Sequence, residues 1–262
     1  MEHYDAIVVG GGPAGSSFAY YASKAGLRVL LIEKHKLPRF KLCAGCLSKR
    51  ISSLLPEGWQ KLVLNSIRGG ILGYAGREEF FVPSEREIAY IIDRKDFDAF
   101  LFNKAKEAGA DTLEECEFLG FEKEGAKYKV LTSKGVFYSS YLVGADGFHS
   151  KVAKALGYKR KKFFKALEFF THCPLEDKVI IDIGLLKKGY AWVFPKGELC
   201  SVGLASDRDR DLIDILKNYA KLRGISIRDN IYGWHIPYAE REEDIFYGKE
   251  RVLLIGDSAN LT

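Results

Sequence analysis

The stretch YDAIVVGGGPAGSSFAYYASKAGLRVLLIEK, residues 4–34, decides the fold. An apolar run at residues 5–9 meets Gly10, Gly12 and Gly15, a segment with small residues on one face follows, and a second apolar run ends in Glu33. That is a βαβ unit completed in about thirty residues. Gly10 permits a tight turn, Gly12 lets the backbone approach a pyrophosphate, and Gly15 lets helix and strand pack closely. The helix N-terminus around Ala14 offers unpaired N–H groups at the positive end of its dipole. Glu33, at the tip of the second strand, is placed to accept hydrogen bonds from the ribose hydroxyls of an adenosine. Strand, helix and acid in this order point to dinucleotide binding.

Working outward, IIDRKDFDAFLFNKAKEAGA reads as a strand end and an amphipathic helix with Phe97, Phe100, Leu101 and Ala105 on one face and Asp96 as its expected N-cap. Short strands are expected around 112–124, 127–132 and 135–138, and YLVGADGFHSKVAKALG then runs a strand into Gly144-Ala145-Asp146-Gly147 and a further helix. Residues 163–205 are rich in aromatic and β-branched side chains broken by turns, the signature of an antiparallel sheet. A helix at about 209–223 follows, and RVLLIGDSANLT, residues 251–262, reads as a buried parallel strand that returns to the nucleotide-binding sheet and delivers Asp257 to a ligand.

Composition bounds the function. The chain has 262 residues and 47% hydrophobic residues, enough for a sizeable core, and no apolar run approaches the roughly 18 residues that span a bilayer. The first strand starts almost at once, which leaves no room for a signal peptide and leads to the expectation of a cytoplasmic protein. With 40 basic against 35 acidic residues spread along the chain, the balance does not argue for nucleic acid. One basic cluster, YKRKKFFK at 158–165, reads either as a solvated connector or as an attractor of anionic lipid, hence of peripheral membrane contact. Five cysteines without framework spacing imply reduced thiols, and no metal site is expected.

The glycine fingerprint with Glu33, the GADGFHS segment and the LIGDSA segment, in this order, resemble the FAD-binding flavoproteins of the p-hydroxybenzoate hydroxylase fold over nearly the whole chain. The resemblance implies that Asp146 lies near the FAD pyrophosphate and that Asp257 binds the ribitol; a turn acid ahead of a helix is the structural alternative for Asp146. Two more segments are similar to those of geranylgeranyl reductases. RFKLCAGCLS at 39–48 resembles the segment beside the flavin, which puts Cys43, Ala44 and Cys46 against the cofactor and makes Cys43 the candidate proton donor. YAWVFPKGELCSVGLA at 190–205 resembles that family's aromatic strand, with Gly203 at its first glycine and Ala205 where a second is usual. DRKDFD resembles a segment whose arginine contacts FAD, here Arg94. Tyr190, Trp192 and Phe194 are two residues apart, so a strand sends all three to one face, either as plain core or as an apolar wall for a polyprenyl chain.

The implied activity is an FAD-dependent oxidoreductase that reduces C=C bonds of a geranylgeranyl group on a lipid or pigment precursor, with NADPH or ferredoxin, an electron-transfer partner, as donor. An aromatic hydroxylase or halogenase of the same fold is the nearest alternative. A flavin–disulfide reductase is a further rival, because Cys43 and Cys46 are closely spaced, but its usual second nucleotide fingerprint has no counterpart here. Relatives of this kind continue beyond the Gly-Asp motif with a glycine where Asn260 stands, so either a fragment or a shortened, non-catalytic relative is expected. The fold class expected is α/β, a Rossmann-like FAD-binding domain from about 1–60, 93–156 and 245–262 interleaved with an antiparallel-sheet substrate domain from about 61–92 and 157–244.

Overall fold

The computed structural model describes residues 3–160 and 162–261, which fall into two compact units. The first comprises Met1–Arg39, Lys95–Lys162 and Pro237–Thr262; the second comprises Phe40–Arg94 and Phe163–Ile236. Residues 40–60 thus leave the nucleotide-binding pieces to which the sequence reading gave them. The reason is pairing: Cys46–Ser48 forms an antiparallel ladder with Ala89–Ile92, deep in the second unit.

In the first unit, parallel strands His3–Val9, Val29–Ile32, Gly135–Gly144, Val252–Leu254 and Asp111–Leu113 make the body of the sheet. His3–Val9 is central, with Gly135–Gly144 on one side and Val29–Ile32 on the other. Its strands are apolar on both faces because both are covered. Ile7, Val9, Leu30 and Leu142 pack with Val152 and Ala153 of the short helix Lys151–Ala155. Val8, Val29, Leu31 and Val143 pack with Ala19, Phe102 and Ala105 of the two longer helices. The expected strand at 135–138 is the first part of one long strand, which pairs antiparallel with Lys127–Thr132 at its start and parallel with Val252–Leu254 at its end. The helix predicted to be capped by Asp96 begins earlier, at Arg94, so Asp96 lies in its first turn, and Phe102 replaces Phe100 among its buried residues.

The second unit carries a seven-stranded sheet in the order Tyr232–Pro237, Phe163–Thr171, Leu199–Ser206, Gly189–Lys196, Lys178–Ile183, Gly69–Tyr74, Glu78–Pro83. Its 163–206 portion is antiparallel as expected, whereas Lys178–Ile183 runs parallel to Gly69–Tyr74. Alternation gives the sheet two faces. On one, Phe169, Ala191, Val193, Val202 and Leu204 pack against Leu212, Leu216 and Tyr219 of the amphipathic helix Leu212–Leu222. Tyr190, Trp192 and Phe194 alternate with these and take the other.

The expectation of reduced thiols throughout is corrected by a disulfide between Cys173 and Cys200. Ladder register puts Thr171 opposite Cys200, so Cys173, two residues on, turns back to a Cα–Cα distance of 5.8 Å, within bridging range. Cys43, Cys46 and Cys116 are free.

Candidate functional site: a dinucleotide cradle and an aromatic sheet face

The glycine loop of the first unit is shaped for close backbone approach. Gly10 has φ +109°, and a Cβ there would lie 2.9 Å from the Asp146 Cα and closer still to the Ala145 carbonyl. A Cβ on Gly15 would overlap the Gly10 carbonyl. At Gly12, by contrast, the nearest atom to a Cβ is Arg39 Nη2 at 3.9 Å, so this is the open side of the loop. Gly12 is the N-cap of the helix Pro13–Lys24 and supplies no side-chain acceptor, and the first turn holds no acid. Its N–H groups are therefore left for an anion.

Glu33 is buried, 4% exposed, and its carboxylate is already engaged. Oε2 accepts the Gly11 N–H at 2.8 Å and Oε1 accepts the His35 N–H at 3.0 Å, so the acid also ties the second strand to the glycine loop. Arg39 stands beside it, with Nε 3.7 Å from Glu33 Oε1 and Nη1 3.2 Å from the fully buried Asp98. That second approach is an ion pair without hydrogen-bond alignment, so Nη1 is buried with no acceptor among the described residues. The same guanidinium turns its other terminal nitrogen, Nη2, toward the open side of the loop at Gly12, where its positive charge fits an anionic diphosphate. Sequence reasoning missed Arg39; the signal available was an arginine six residues after Glu33.

The second and third acids converge on the same loop. Asp146 abuts Gly10 through its backbone, but its carboxylate serves the helix that follows. It accepts from Ser150 Oγ at 2.5 Å, the Lys151 N–H at 2.7 Å and the Val152 N–H at 3.3 Å. Burial raises its pKa, and these hydrogen bonds only partly oppose the rise. The turn-acid alternative thus describes its side chain, and nearness to the loop describes its backbone. Asp257 lies in the 3-10 turn Gly256–Ala259, and a Cβ on Gly256 would come 2.8 Å from Ala14 Cβ, so the last motif reaches the start of the first helix. Asn260, standing where a glycine is usual, adopts φ 67°, a left-handed conformation that Asn tolerates better than most side chains.

Arg160 binds these motifs together. Its Nη2 donates to the Asp257 carbonyl at 2.6 Å, Nε to Asn260 Oδ1 at 2.6 Å, and Nη1 to the Phe148 carbonyl, while the guanidinium lies over the Phe148 ring. Lys162 pairs with Glu240 at 2.8 Å and Asp244 at 2.9 Å. Two cations of the basic cluster at 158–165 are thus committed to internal partners, which corrects both readings of it for those residues; Lys161 lies outside the described residues.

In the second unit, Trp192 is buried and Phe194 half-buried, and Tyr190 is 36% exposed with its ring 5.7 Å from the Trp192 indole. The segment beside the predicted flavin packs on this same face: Ala44 joins Trp192, Ala166, Ala205 and Phe194 in one apolar cluster. Lys196 fastens it by donating to the carbonyls of Cys43 at 3.2 Å and Ile92 at 3.3 Å. The Cys43 Sγ accepts the Gly45 N–H at 3.4 Å. Cys46 reaches solvent, yet the protein around it raises its thiol to about 11, with Cys43 adding like-charge repulsion. A thiol held in that form is a poor nucleophile, which weighs against dithiol exchange. Arg94 opens the helix Arg94–Glu107 and is half-buried.

Residues 3–172 match the model of the FAD binding domain. The chain belongs to the FAD-binding domain family. Among its relatives, the digeranylgeranylglycerophospholipid reductase of Methanocaldococcus jannaschii is 32% identical over 82% of this chain and 59% of its own length. The geranylgeranyl diphosphate reductase of Rhodobacter capsulatus is 28% identical over 98% of this chain and 69% of its own length. A geranylgeranyl bacteriochlorophyll reductase-like protein from Thermoplasma acidophilum superposes with a TM-score of 0.85 at 27% identity, over all of this chain and 72% of that one. A myxobacterial chondrochloren halogenase shares the fold, with a TM-score of 0.75 at 20% identity. The chain spans 59% of the Methanocaldococcus relative. No helix among the described residues is long and apolar enough to cross a membrane, which says nothing about a membrane-spanning barrel.

As a member of the FAD-binding domain family, the chain offers a cradle that FAD fits: an open glycine at a helix N-terminus, a buried acid at the end of the second strand and a guanidinium beside the open side of the loop. The aromatic face holds two residues that sequence reasoning passed over, Glu168 and Ser201. Their signal was present: Glu168 is the one acid in the apolar, aromatic run FFKALEFF, in register with the future wall.

Proposed function

We propose that the chain is the FAD-binding and prenyl-receiving part of an oxidoreductase that reduces C=C bonds of a geranylgeranyl group on a lipid or pigment precursor. The observation that carries this reading is the meeting, on one sheet face, of the Cys43–Cys46 segment with the Tyr190, Trp192 and Phe194 strand, the two segments that resemble those of geranylgeranyl reductases. Bound FAD, reduced by NADPH or ferredoxin, supplies hydride transfer. The protein's own share is binding and exclusion of water. Gly12, Ala14 and Gly15 present helix N–H groups to the diphosphate, Arg39 and Arg94 supply positive charge, Glu33 takes the ribose side, and Asp146 and Asp257 border the cofactor. An isolated alkene is a poor hydride acceptor, so alignment and a dry wall carry much of the catalytic burden. Tyr190, Trp192 and Phe194 form that wall, where each buried CH₂ contributes about 0.8 kcal/mol. Cys43, next to Ala44 of the wall's cluster, is the candidate proton donor.

The test begins with the visible spectrum of the purified chain and chromatographic identification of the released cofactor. FAD near one equivalent is expected, followed by saturation of a geranylgeranyl lipid under reducing conditions. Folded, colourless protein that takes up no added FAD refutes the cofactor reading. Flavin-loaded protein that oxidises NADPH with oxygen in the presence of an aromatic substrate, and leaves prenyl lipids untouched, favours the hydroxylase or halogenase alternative.

A further inference from the structure

A buried carboxyl group sits in the middle of the aromatic face. Glu168, Gly203 and Trp192 stand opposite one another across three adjacent strands, and Glu168 is only 3% exposed. An acid at such a place costs desolvation that an aliphatic residue would avoid. What it does there follows from counting protons. The Trp192 Nε1–H has only a donor to offer and gives it to Ser201 Oγ at 2.9 Å. Ser201 is fully buried and has one proton, which it donates to Glu168 Oε1 at 2.6 Å. The order is fixed at the indole, which can only donate, and Ser201, having accepted that proton's hydrogen bond, turns its own proton to the carboxyl oxygen.

The steric side agrees. Gly203, between acid and indole, leaves room for the ring to lie against the backbone: a Cβ there would meet Trp192 Cε2 at 2.6 Å and the Leu167 carbonyl at 2.6 Å. The indole is held down on one side by the glycine gap and on the other by the relay. We propose that Glu168 is a positioning residue of the aromatic wall, ending a hydrogen-bond relay through Ser201 that locks the Trp192 indole flat on the sheet and so shapes the surface that receives a prenyl chain. This rests on the reading of that face as a prenyl wall. Burial raises the Glu168 pKa, while the hydrogen bond from Ser201 and the charges of Lys196 and Lys41 draw it partly back toward ionisation.

The test follows the Trp192 indole N–H by NMR hydrogen exchange, assigned with Trp192→Phe. In the unaltered chain and in Glu168→Gln, which keeps an acceptor oxygen, exchange should be slower than that of the partly exposed Trp234 by about tenfold or more. In Glu168→Leu that protection should be lost, and the Kd for geranylgeraniol should rise about tenfold while that for geraniol changes by about twofold or less, as one buried hydrogen bond is removed. A folded Glu168→Leu protein with the indole still protected overturns the proposal. Should Glu168→Leu not fold, Ser201→Ala carries the same test: continued protection there overturns the relay, and loss supports it. Unaltered protein that binds both alcohols alike, with indole exchange as expected, refutes the prenyl reading of the wall and leaves the relay supported.

Discussion

The Trp192 indole lies against the α-carbon of its cross-strand partner Gly203, so close that no side chain fits between them. Gly203→Ala should therefore lift the indole or push the strand Phe163–Thr171 away. The expected cost is about 1–3 kcal/mol, the range for overpacking a filled site. Chemical denaturation measures it, and an unchanged midpoint would show that the ring moves aside freely.

Glu33 serves the fold as well as the cofactor. Glu33→Ala removes the acceptor of the buried Gly11 N–H and of the His35 N–H. FAD affinity should fall, and the cofactor-free protein should also lose about 1–3 kcal/mol. Calorimetry on both forms separates the two; equal stability of the two cofactor-free proteins would leave Glu33 a ligand residue alone.

Arg160 holds the last motif to Phe148 of the GADGFHS segment. Arg160→Met should free the Gly256–Ala259 turn and cost about 2–3 kcal/mol through the loss of charged hydrogen bonds. Faster amide exchange at residues 257–260 is the expected readout. Unaltered exchange there would mean that strand pairing alone holds the turn.

Asp182 is fully buried and receives both Arg223 Nη2 and Tyr219 Oη, at 2.6 Å each. Asp182→Ala leaves Arg223 with Glu79 as its remaining acid and the buried Tyr219 hydroxyl without its acceptor, and should cost about 3–5 kcal/mol. Replacing both members of the buried ion pair, Asp182→Leu with Arg223→Met, should cost less than the single change. A larger cost for the double variant would contradict this account.

Glu168 also gives stability a pH dependence of definite sign. Its folded pKa is raised above the ordinary 4.5, so the folded protein holds the proton more tightly than the unfolded chain does. Stability from this group is therefore fully present below 4.5 and is lost as pH rises through the folded value. Asp146, raised by burial, adds a trend of the same sign. Melting temperature should drop less between about pH 5 and about pH 8 in Glu168→Gln than in the unaltered chain. Parallel curves would show that Glu168 ionises as readily folded as unfolded.

The sequence by itself determined the βαβ unit, because Gly10, Gly12, Gly15 and Glu33 are local requirements: a turn, a close approach, a packing contact and an acid all set within one short stretch of chain. It determined the shared face of Tyr190, Trp192 and Phe194 for the same reason, since strand alternation needs no knowledge of the partner strand. Tertiary structure alone decided what depends on which distant segments meet. Asp146 looks the same in sequence whether its carboxylate faces a ligand or caps a helix; Ser150, Lys151 and Val152 claim it in space. Arg160 reads as one of a run of basic residues until Asp257 and Asn260, about a hundred positions away, come within 2.6 Å. Cys173 and Cys200 become partners only through a ladder register, and the Glu168–Ser201–Trp192 relay exists only because three strands align. Local sterics are written in short stretches of chain, while the partner that spends a hydrogen bond or a charge is chosen by packing.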